Sequence, residues 1–470
     1  MRSDYRASVL SPSLQIAVMA LAFLVMPFSS VAFANPHEYT LANGLRLIVK
    51  EDHRSPVVIS QIWYKAGSID ELNGTTGVAH VLEHMMFKGT KKIPGGEFSK
   101  RIAAAGGREN AFTGRDYTAY FQQLHKSKLP LAMELESDRM RNLILTKEEF
   151  AKEIQVVMEE RRLRTDDKPQ ALVHEKMMAA AYQSHPYQRP IIGWMNDLEN
   201  MSAHDAKEWY DRWYAPNNAV LVVVGDVDPK EVFALAKKYY GEIKPHPLVP
   251  LALRKPQAEP AQLGIKRLTV KAPAKLPYLA MGYHAPVLRD ANADWEPYAL
   301  EMLVGVLDGN ESARLNKELV RERRIATSAG AGYDSTARGP GMFYLYGTPS
   351  EGKTTVELEA ALRSEMEKLL LDGVTEEELA RVKAQVVASH VFKLDSMFYQ
   401  AMQLGQLESV GLSYRDTDTM VKKLQAVTTE QVRDVARKYV QDDSLTVAVL
   451  DPQPLEQKFP TTAAPKGLRH

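Results

Sequence analysis

Two stretches far apart in the chain follow the same plan, and this repetition limits the fold more than any other feature. Residues 202–224 (SAHDAKEWYDRWYAPNNAVLVVV) open on a hydroxyl suited to capping a helix, run through a helical pattern, break, and end in an apolar strand. Residues 428–450 (TTEQVRDVARKYVQDDSLTVAVL) do the same in the same register, with Thr428 in the place of Ser202. Earlier, Ile62-Trp63-Tyr64-Lys65-Ala66 has a counterpart in Met281-Gly282-Tyr283-His284-Ala285, and a helical pattern follows each. Such self-similarity marks an internal repeat. Between about Lys244 and Gly264 the chain carries Pro245, Pro247, Pro250, Pro256 and Pro260, a density that suits an extended linker and no regular element. The predicted fold is therefore α+β: two tandem homologous α/β-sandwich domains, each a mainly antiparallel sheet covered by helices. The expected boundaries are 35–244 for the first domain, 245–264 for the linker, 265–455 for the second domain and 456–470 for a flexible tail.

Local patterns in the first half sharpen this picture. Leu45 to Val49, Val57 to Tyr64 and Thr118 to Leu124 read as strands, rich in β-branched and aromatic residues. Val78 to Phe87 reads as a helix, with Val78, Val81, Leu82 and Met85 at helical spacing and Gly89 as its stop. Thr146-x-x-Glu149 is a capping box opening another helix, whose apolar stripe is Phe150, Ile154 and Val157.

Composition excludes several function classes. Lys plus Arg and Asp plus Glu both number 59, so no broad field draws the chain toward nucleic acid or anionic lipid. There are no cysteines, which removes disulfides, thiolate nucleophiles and thiolate metal sites. At the N-terminus, Arg2 and Arg6 precede an apolar run from Leu14 to Met26, then Pro27, small residues and Ala32-Phe33-Ala34. That order is a secretory signal over 1–34, with cleavage expected after Ala34. The run is short for a stable membrane span, the alternative being an uncleaved anchor. The expected location is outside the cytoplasm, in the periplasm.

The chemistry centres on His80-Val81-Leu82-Glu83-His84. Residues four apart on a helix share a face, so His80 and His84 can aim two imidazoles at one metal ion, with Glu83 on the flank of the same site. This is an H-x-x-E-H motif, the reverse of H-E-x-x-H. A catalytic zinc takes three protein ligands and leaves a fourth position for a water, whose pKa it lowers toward about 7. A neighbouring carboxylate can accept that water's proton and pass it to a leaving amine. Imidazole and carboxylate also suit manganese or cobalt. The bland alternative is a polar helix face with two satisfied histidines. The surrounding Val81, Leu82, Met85 and Met86 predict a buried helix, where unpaired imidazoles and a carboxylate would be costly and a metal would remove that cost. A third ligand is needed. The helix after Thr146 offers Glu148, Glu149, Glu153, Glu159 and Glu160, and local chemistry does not choose among them. Glu153 and Glu160 lie seven apart and share a face, so one can ligate while the other steadies the site.

These residues resemble the pitrilysin-like (M16) zinc peptidases, especially the short members similar to the mitochondrial processing peptidase β-subunit. The likeness covers nearly all of the chain after residue 34. It includes Asn43-Gly44-Leu45, Gly67-Ser68, His80 to His84 followed by Met86-Phe87-Lys88-Gly89-Thr90, and residues 107–113 (GRENAFT). It continues through the Glu153 to Glu160 helix, His185-Pro186-Tyr187, Gly193 and Tyr214-Ala215-Pro216-Asn217-Asn218. The resemblance implies one zinc ion per chain on His80, His84 and Glu160, with Glu83 as general base. It implies that Glu153 is important for catalysis without binding metal. Asn110, Ala111 and Phe112 would lie on an edge strand that takes up peptide substrate as an added β-strand, by main-chain hydrogen bonds. In the second half the motif position reads Tyr298-Ala299-Leu300-Glu301-Met302-Leu303, without a histidine pair, like the family's zinc-less half. That half offers an arginine and a tyrosine to substrate. Arg321 fits the arginine, but the tyrosine position holds Thr327, with Tyr333 nearby. Relatives enclose substrate between four such domains, so a homodimer, or a heterodimer with a zinc-less homologous chain, is implied. The function expected is a zinc endopeptidase of short or unfolded peptides. The alternative is a non-catalytic scaffold subunit, which would have no use for a buried base beside a metal. A mitochondrial precursor peptidase would need an Arg-rich amphipathic leader, which the N-terminus lacks.

Overall fold

Eleven strands form two mixed sheets in a computed structural model of the chain, which describes residues 35–455 apart from Val249 and Pro256. The predicted signal over 1–34 and the tail over 456–470 lie outside the described residues. The strands are β1 (His37–Thr40), β2 (Arg46–Glu51), β3 (Val57–Tyr64), β4 (Arg108–Thr113), β5 (Thr118–His125) and β6 (Ala219–Gly225) in the first sheet. The second sheet holds β7 (Lys266–Pro273), β8 (Tyr278–Ala285), β9 (Ala326–Gly332), β10 (Gly341–Pro349) and β11 (Leu445–Gln453).

The spatial orders are β1-β2-β6-β3-β5-β4 and β7-β11-β8-β10-β9. With β1 set aside they superpose term by term. In both, the only parallel contact joins the first strand of the repeat to the last, β2 to β6 and β7 to β11. All other pairings are antiparallel. The sequence correspondences fall where this requires: Ile62 to Tyr64 on β3 matches Met281 to Tyr283 on β8. The helices Ala203–Trp213 and Thr429–Tyr439 each feed the returning strand, β6 or β11. Ser202 and Thr428 both form capping boxes, with Asp205 and Gln431. The two α/β domains of the predicted fold are thus present.

Alternation along the strands sorts their side chains into two layers. Leu47, Val49, Val58, Ile62, Leu221 and Val223 face a core shared with the Val78–Met85 and Leu129–Asn142 helices. Ile48, Ile59, Trp63, Val220, Val222 and Val224 face the other way. β6 reads as an unbroken apolar run because both of its faces are covered. The cover on the second face comes from the far half of the chain: Ala401, Leu404 and Tyr414, from the Met397–Val410 helix and the turn after it. The reverse exchange occurs on the second sheet. Val173, Met177 and Ala181 of the Pro169–Ala181 helix pack on Val270, Ala280 and Ala448. Each half therefore lends a helix to the other.

Two expectations need adjustment. The proline-rich segment does contain one short element, a 3-10 turn at Leu251–Leu253. The segment is also pinned at both ends. Arg254 donates to the Lys65 carbonyl and the Asn218 side chain, and Glu259 accepts from the N–H groups of Gln183, Ser184 and His185. The capping box at Thr146 is half made: Thr146 Oγ1 accepts from the Glu149 N–H, but the Glu149 carboxylate turns outward to Lys152. Among the described residues no helix is long and apolar enough to cross a membrane.

Candidate metal centre

The helix Val78–Met85 carries His80, Glu83 and His84, and its start is fixed by unusual backbone. Gly77 adopts φ +88°, and a Cβ there would sit 2.6 Å from the Ile192 carbonyl oxygen, so only glycine lets these two segments touch. Gly77 has no side chain to cap the helix. Glu71 does it from outside, accepting from the N–H groups of Gly77 (2.8 Å) and Ala79 (2.9 Å). The helix Lys147–Arg161 crosses behind and brings Glu153 and Glu160 to the same place.

The two histidines and Glu160 converge. His84 Nε2 lies 3.3 Å from Glu160 Oε2, and His80 Nε2 lies 3.8 Å from the same oxygen. One ligand atom from each of the three falls within 4.8 Å of the others. His80 and Glu160 are buried and His84 is nearly so. The other nitrogen of His84, Nδ1, is 3.0 Å from Glu153 Oε1, and Lys88 Nζ holds the second oxygen of Glu153 at 2.5 Å. Glu153 thereby orients the His84 ring so that Nε2 faces Glu160. Of the five glutamates offered by this helix, packing selects Glu160 for the donor cluster and Glu153 for the support behind it. Arg164, on a π-helical continuation at Arg162–Asp166, pairs with Glu160 Oε1 at 3.0 Å.

Burial works against charge on His84, but its bonds to Glu153 and Glu160 outweigh that and push its pKa up to about 9. Glu160 is also buried, yet His84, His80 and Arg164 pull its carboxyl down to about 2. A site that draws a proton onto an imidazole to balance its carboxylates is a site suited to a cation. The nitrogen and oxygen donors fit zinc. Glu83 differs from both. Burial dominates and raises its carboxyl to about 7, against the pull of a 2.5 Å hydrogen bond donated by Thr113 Oγ1.

Beside these groups opens a cavity of about 450 Å³ lined by His80, Glu83 and Glu160. Ala111, Phe112 and Thr113 also line it. They belong to β4, which pairs with β5 alone and forms the edge of the first sheet. Asn110 shares this strand without lining the cavity, and its side-chain oxygen accepts from the Ala111 N–H at 2.9 Å. Arg321 is not brought to the cavity. It is exposed on the π-helical stretch Asn316–Glu322. Thr327 is exposed on β9, and the Tyr333 hydroxyl is taken up by the Pro286 carbonyl.

Thr113 and Lys88 stand out in the sequence only as parts of longer motifs, and Arg164 carries no local signal. The period-two spacing of Ala111 and Thr113 was the available signal for the first. The second half preserves a remnant of the same construction. Glu301, on the helix after β8, is half-buried and accepts from Ser335 Oγ, as Glu83 does from Thr113. Its neighbours Tyr298 and Met302 stand where the histidines do in the first half.

Comparison with known proteins agrees with this division of labour. Residues 46–194 match the family model described as insulinase (peptidase family M16), and residues 200–386 match the one described as peptidase M16 inactive domain. The zinc protease PqqE of Helicobacter pylori is 32% identical over 450 residues, covering 93% of this chain and 98% of that protein. An uncharacterized zinc protease of Bacillus subtilis, YmxG, is 26% identical over 88% of this chain and 98% of its own. Among solved structures, a protease from Helicobacter pylori superposes with a TM-score of 0.83 at 30% identity, over 89% of this chain and all of the other. The periplasmic protease PqqL of Escherichia coli shares the fold (TM-score 0.76, 20% identity), this chain spanning 91% of itself and 50% of PqqL. Likeness that runs nearly end to end, with one half matching the peptidase model and the other the inactive one, makes this chain a member of peptidase family M16.

Proposed function

We propose that the chain is a zinc-dependent endopeptidase acting on short or unfolded peptides. The observation that carries this reading is the convergence of His80, His84 and Glu160 beside the buried Glu83, at the floor of a cavity whose wall is a sheet edge. His80, His84 and Glu160 would hold one zinc ion. Zinc at this place supplies Lewis acidity and an acidified water near neutral pH. Glu83 accepts the proton from the attacking water and returns it to the leaving amine. Its carboxyl near 7 is matched to both tasks. Glu153 keeps His84 in the tautomer that presents Nε2, and Lys88 keeps Glu153 in place. Asn110, Ala111 and Phe112 receive the peptide as an extra strand along the open side of β4.

In this reading the halves are domains of 35–244 and 265–455, and the second contributes enclosure but no metal. Arg321 is assigned to the substrate, and the missing phenol comes from a second chain, in a homodimer or in a heterodimer with a zinc-less homologue. Tyr333 being engaged at Pro286 supports that assignment. Export to the periplasm rests on the N-terminal pattern of residues 1–34, and the relative PqqL is described as periplasmic.

The deciding experiment pairs metal analysis with cleavage of an unstructured peptide. Glu83→Gln should retain about one zinc per chain and lose cleavage by about a hundredfold or more. Cleavage at the wild-type rate would show that Glu83 is not the base, and a wild-type chain without zinc would favour the scaffold reading.

A further inference from the structure

A second cavity, of about 390 Å³, lies between the two halves and the proline-rich segment; His185 lines it, but His80 and His84 do not. Five cations line it. Arg46 comes from β2, Lys65 follows β3, Arg254 and Lys255 come from the proline-rich segment, and Arg338 comes from the loop before β10. Two carboxylates oppose them in the lining, Asp70 and Glu408, and Glu38 just outside it also pairs with Arg46, which leaves an excess of two positive charges (five minus three). In a chain with no net charge overall, such a concentration is local and built.

The pairing inside the cavity is uneven. Asp70 serves two guanidinium groups at once, accepting from Arg338 at 2.8 and 3.0 Å and from Arg254 at 3.3 Å. Arg46 pairs with both Glu408 and Glu38. Among the described residues no carboxylate forms an ion pair with the Lys65 ammonium, which is largely shielded from solvent. Burial lowers its pKa, the nearby Arg46 and Arg254 add to that, and the Glu408 carboxylate offsets it only in part. An ammonium held among guanidinium groups is costly unless something anionic joins it.

We propose that this cavity is an anion-binding site for a compact phosphate-bearing small molecule. The phosphate oxygens would bond to Lys65 and the adjoining guanidinium groups, which offer forked donors suited to oxyanions. Lys255, exposed at the rim, would meet a second charge or the ester group. The volume exceeds what inorganic phosphate fills and leaves room for the group the phosphate carries. Binding would tie Arg338 of the second half to Lys65 of the first. It would also act next to the metal helix, since Asp70 adjoins Glu71, whose carboxylate caps that helix. The inference is independent of the peptidase reading, because it concerns a separate cavity and is read as binding.

The test is calorimetric titration of the zinc-loaded protein with inorganic phosphate and with ribose 5-phosphate, with ribose and acetate as controls. Saturable binding of ribose 5-phosphate is expected, with little or no response to either control. Lys65→Met should weaken it about tenfold or more, in line with loss of one charged hydrogen bond. Lys255→Gln, on an exposed residue whose loss leaves the fold intact, should weaken it several-fold and keeps the test decisive if Lys65→Met does not fold. Tight binding of inorganic phosphate alone would assign the site to the free ion and overturn the ester. Equal affinity in wild type and both variants, or binding that disappears with the zinc, would overturn the site itself.

Discussion

Single residues at the centre of this protein are set by their neighbours more than by their own chemistry. Glu83 and Glu160 are the same side chain lining the same cavity, yet burial raises one to about 7 while cationic neighbours drop the other to about 2. In the proposed reading that separation suits one to proton transfer and the other to ligation. Thr113 adjusts the first. Its hydroxyl donates to the ionised form of Glu83 and so lowers the carboxyl's pKa. Thr113→Val removes the donor, raises that pKa, and moves the acid limb of the kcat/KM profile to higher pH. An unmoved limb would show that Thr113 does not act on the base. Glu153 acts through His84, so Glu153→Gln should cost about ten- to a hundredfold in zinc affinity while leaving the donor atoms in place, as measured by competition with a chelator. At this scale the sequence was readable for His80, Glu83 and His84, because the spacing of a helix is local. The choice of Glu160 over four other glutamates depended on contact with residues about eighty positions away, which no local period encodes. Family likeness supplied that choice in advance, and the same likeness placed Arg321 at the substrate although it stands exposed outside the cavity.

At the scale of elements, strand alternation and capping hydroxyls made the repeat legible, and the topology reproduces it strand for strand. The source of the cover on each sheet was not legible. The unbroken apolar run of β6 announced two buried faces, but nothing in it said that the second face would be met by a helix almost two hundred residues later. The joint between them is tight. Gly405, on the Met397–Val410 helix, lies directly against the Trp63 indole, in the place a Cβ would occupy. Gly405→Ala should therefore destabilise the protein by about 1–3 kcal/mol, as overpacking does, despite the better helix propensity of alanine. Chemical denaturation would measure it. A neutral or stabilising effect would mean the Trp63 side chain moves aside at little cost.

For the whole molecule, the exchange of helices makes the two halves one structural unit although, among the described residues, only the first carries the donor cluster. The second half keeps the acid, Glu301, half-buried, and its hydroxyl partner Ser335, but has Tyr298 and Met302 where ligands would stand. It has the shape of a metal centre without the donors, which is why composition and repeat alone could not say how many metal ions the chain would hold. The most direct measurement is the zinc content of purified wild-type, Glu83→Gln and Glu160→Gln protein after identical loading and dialysis. About one zinc per chain is predicted in the first two, with loss from Glu160→Gln as its anionic donor disappears. Full zinc occupancy in Glu160→Gln, or none in the wild type, would contradict it.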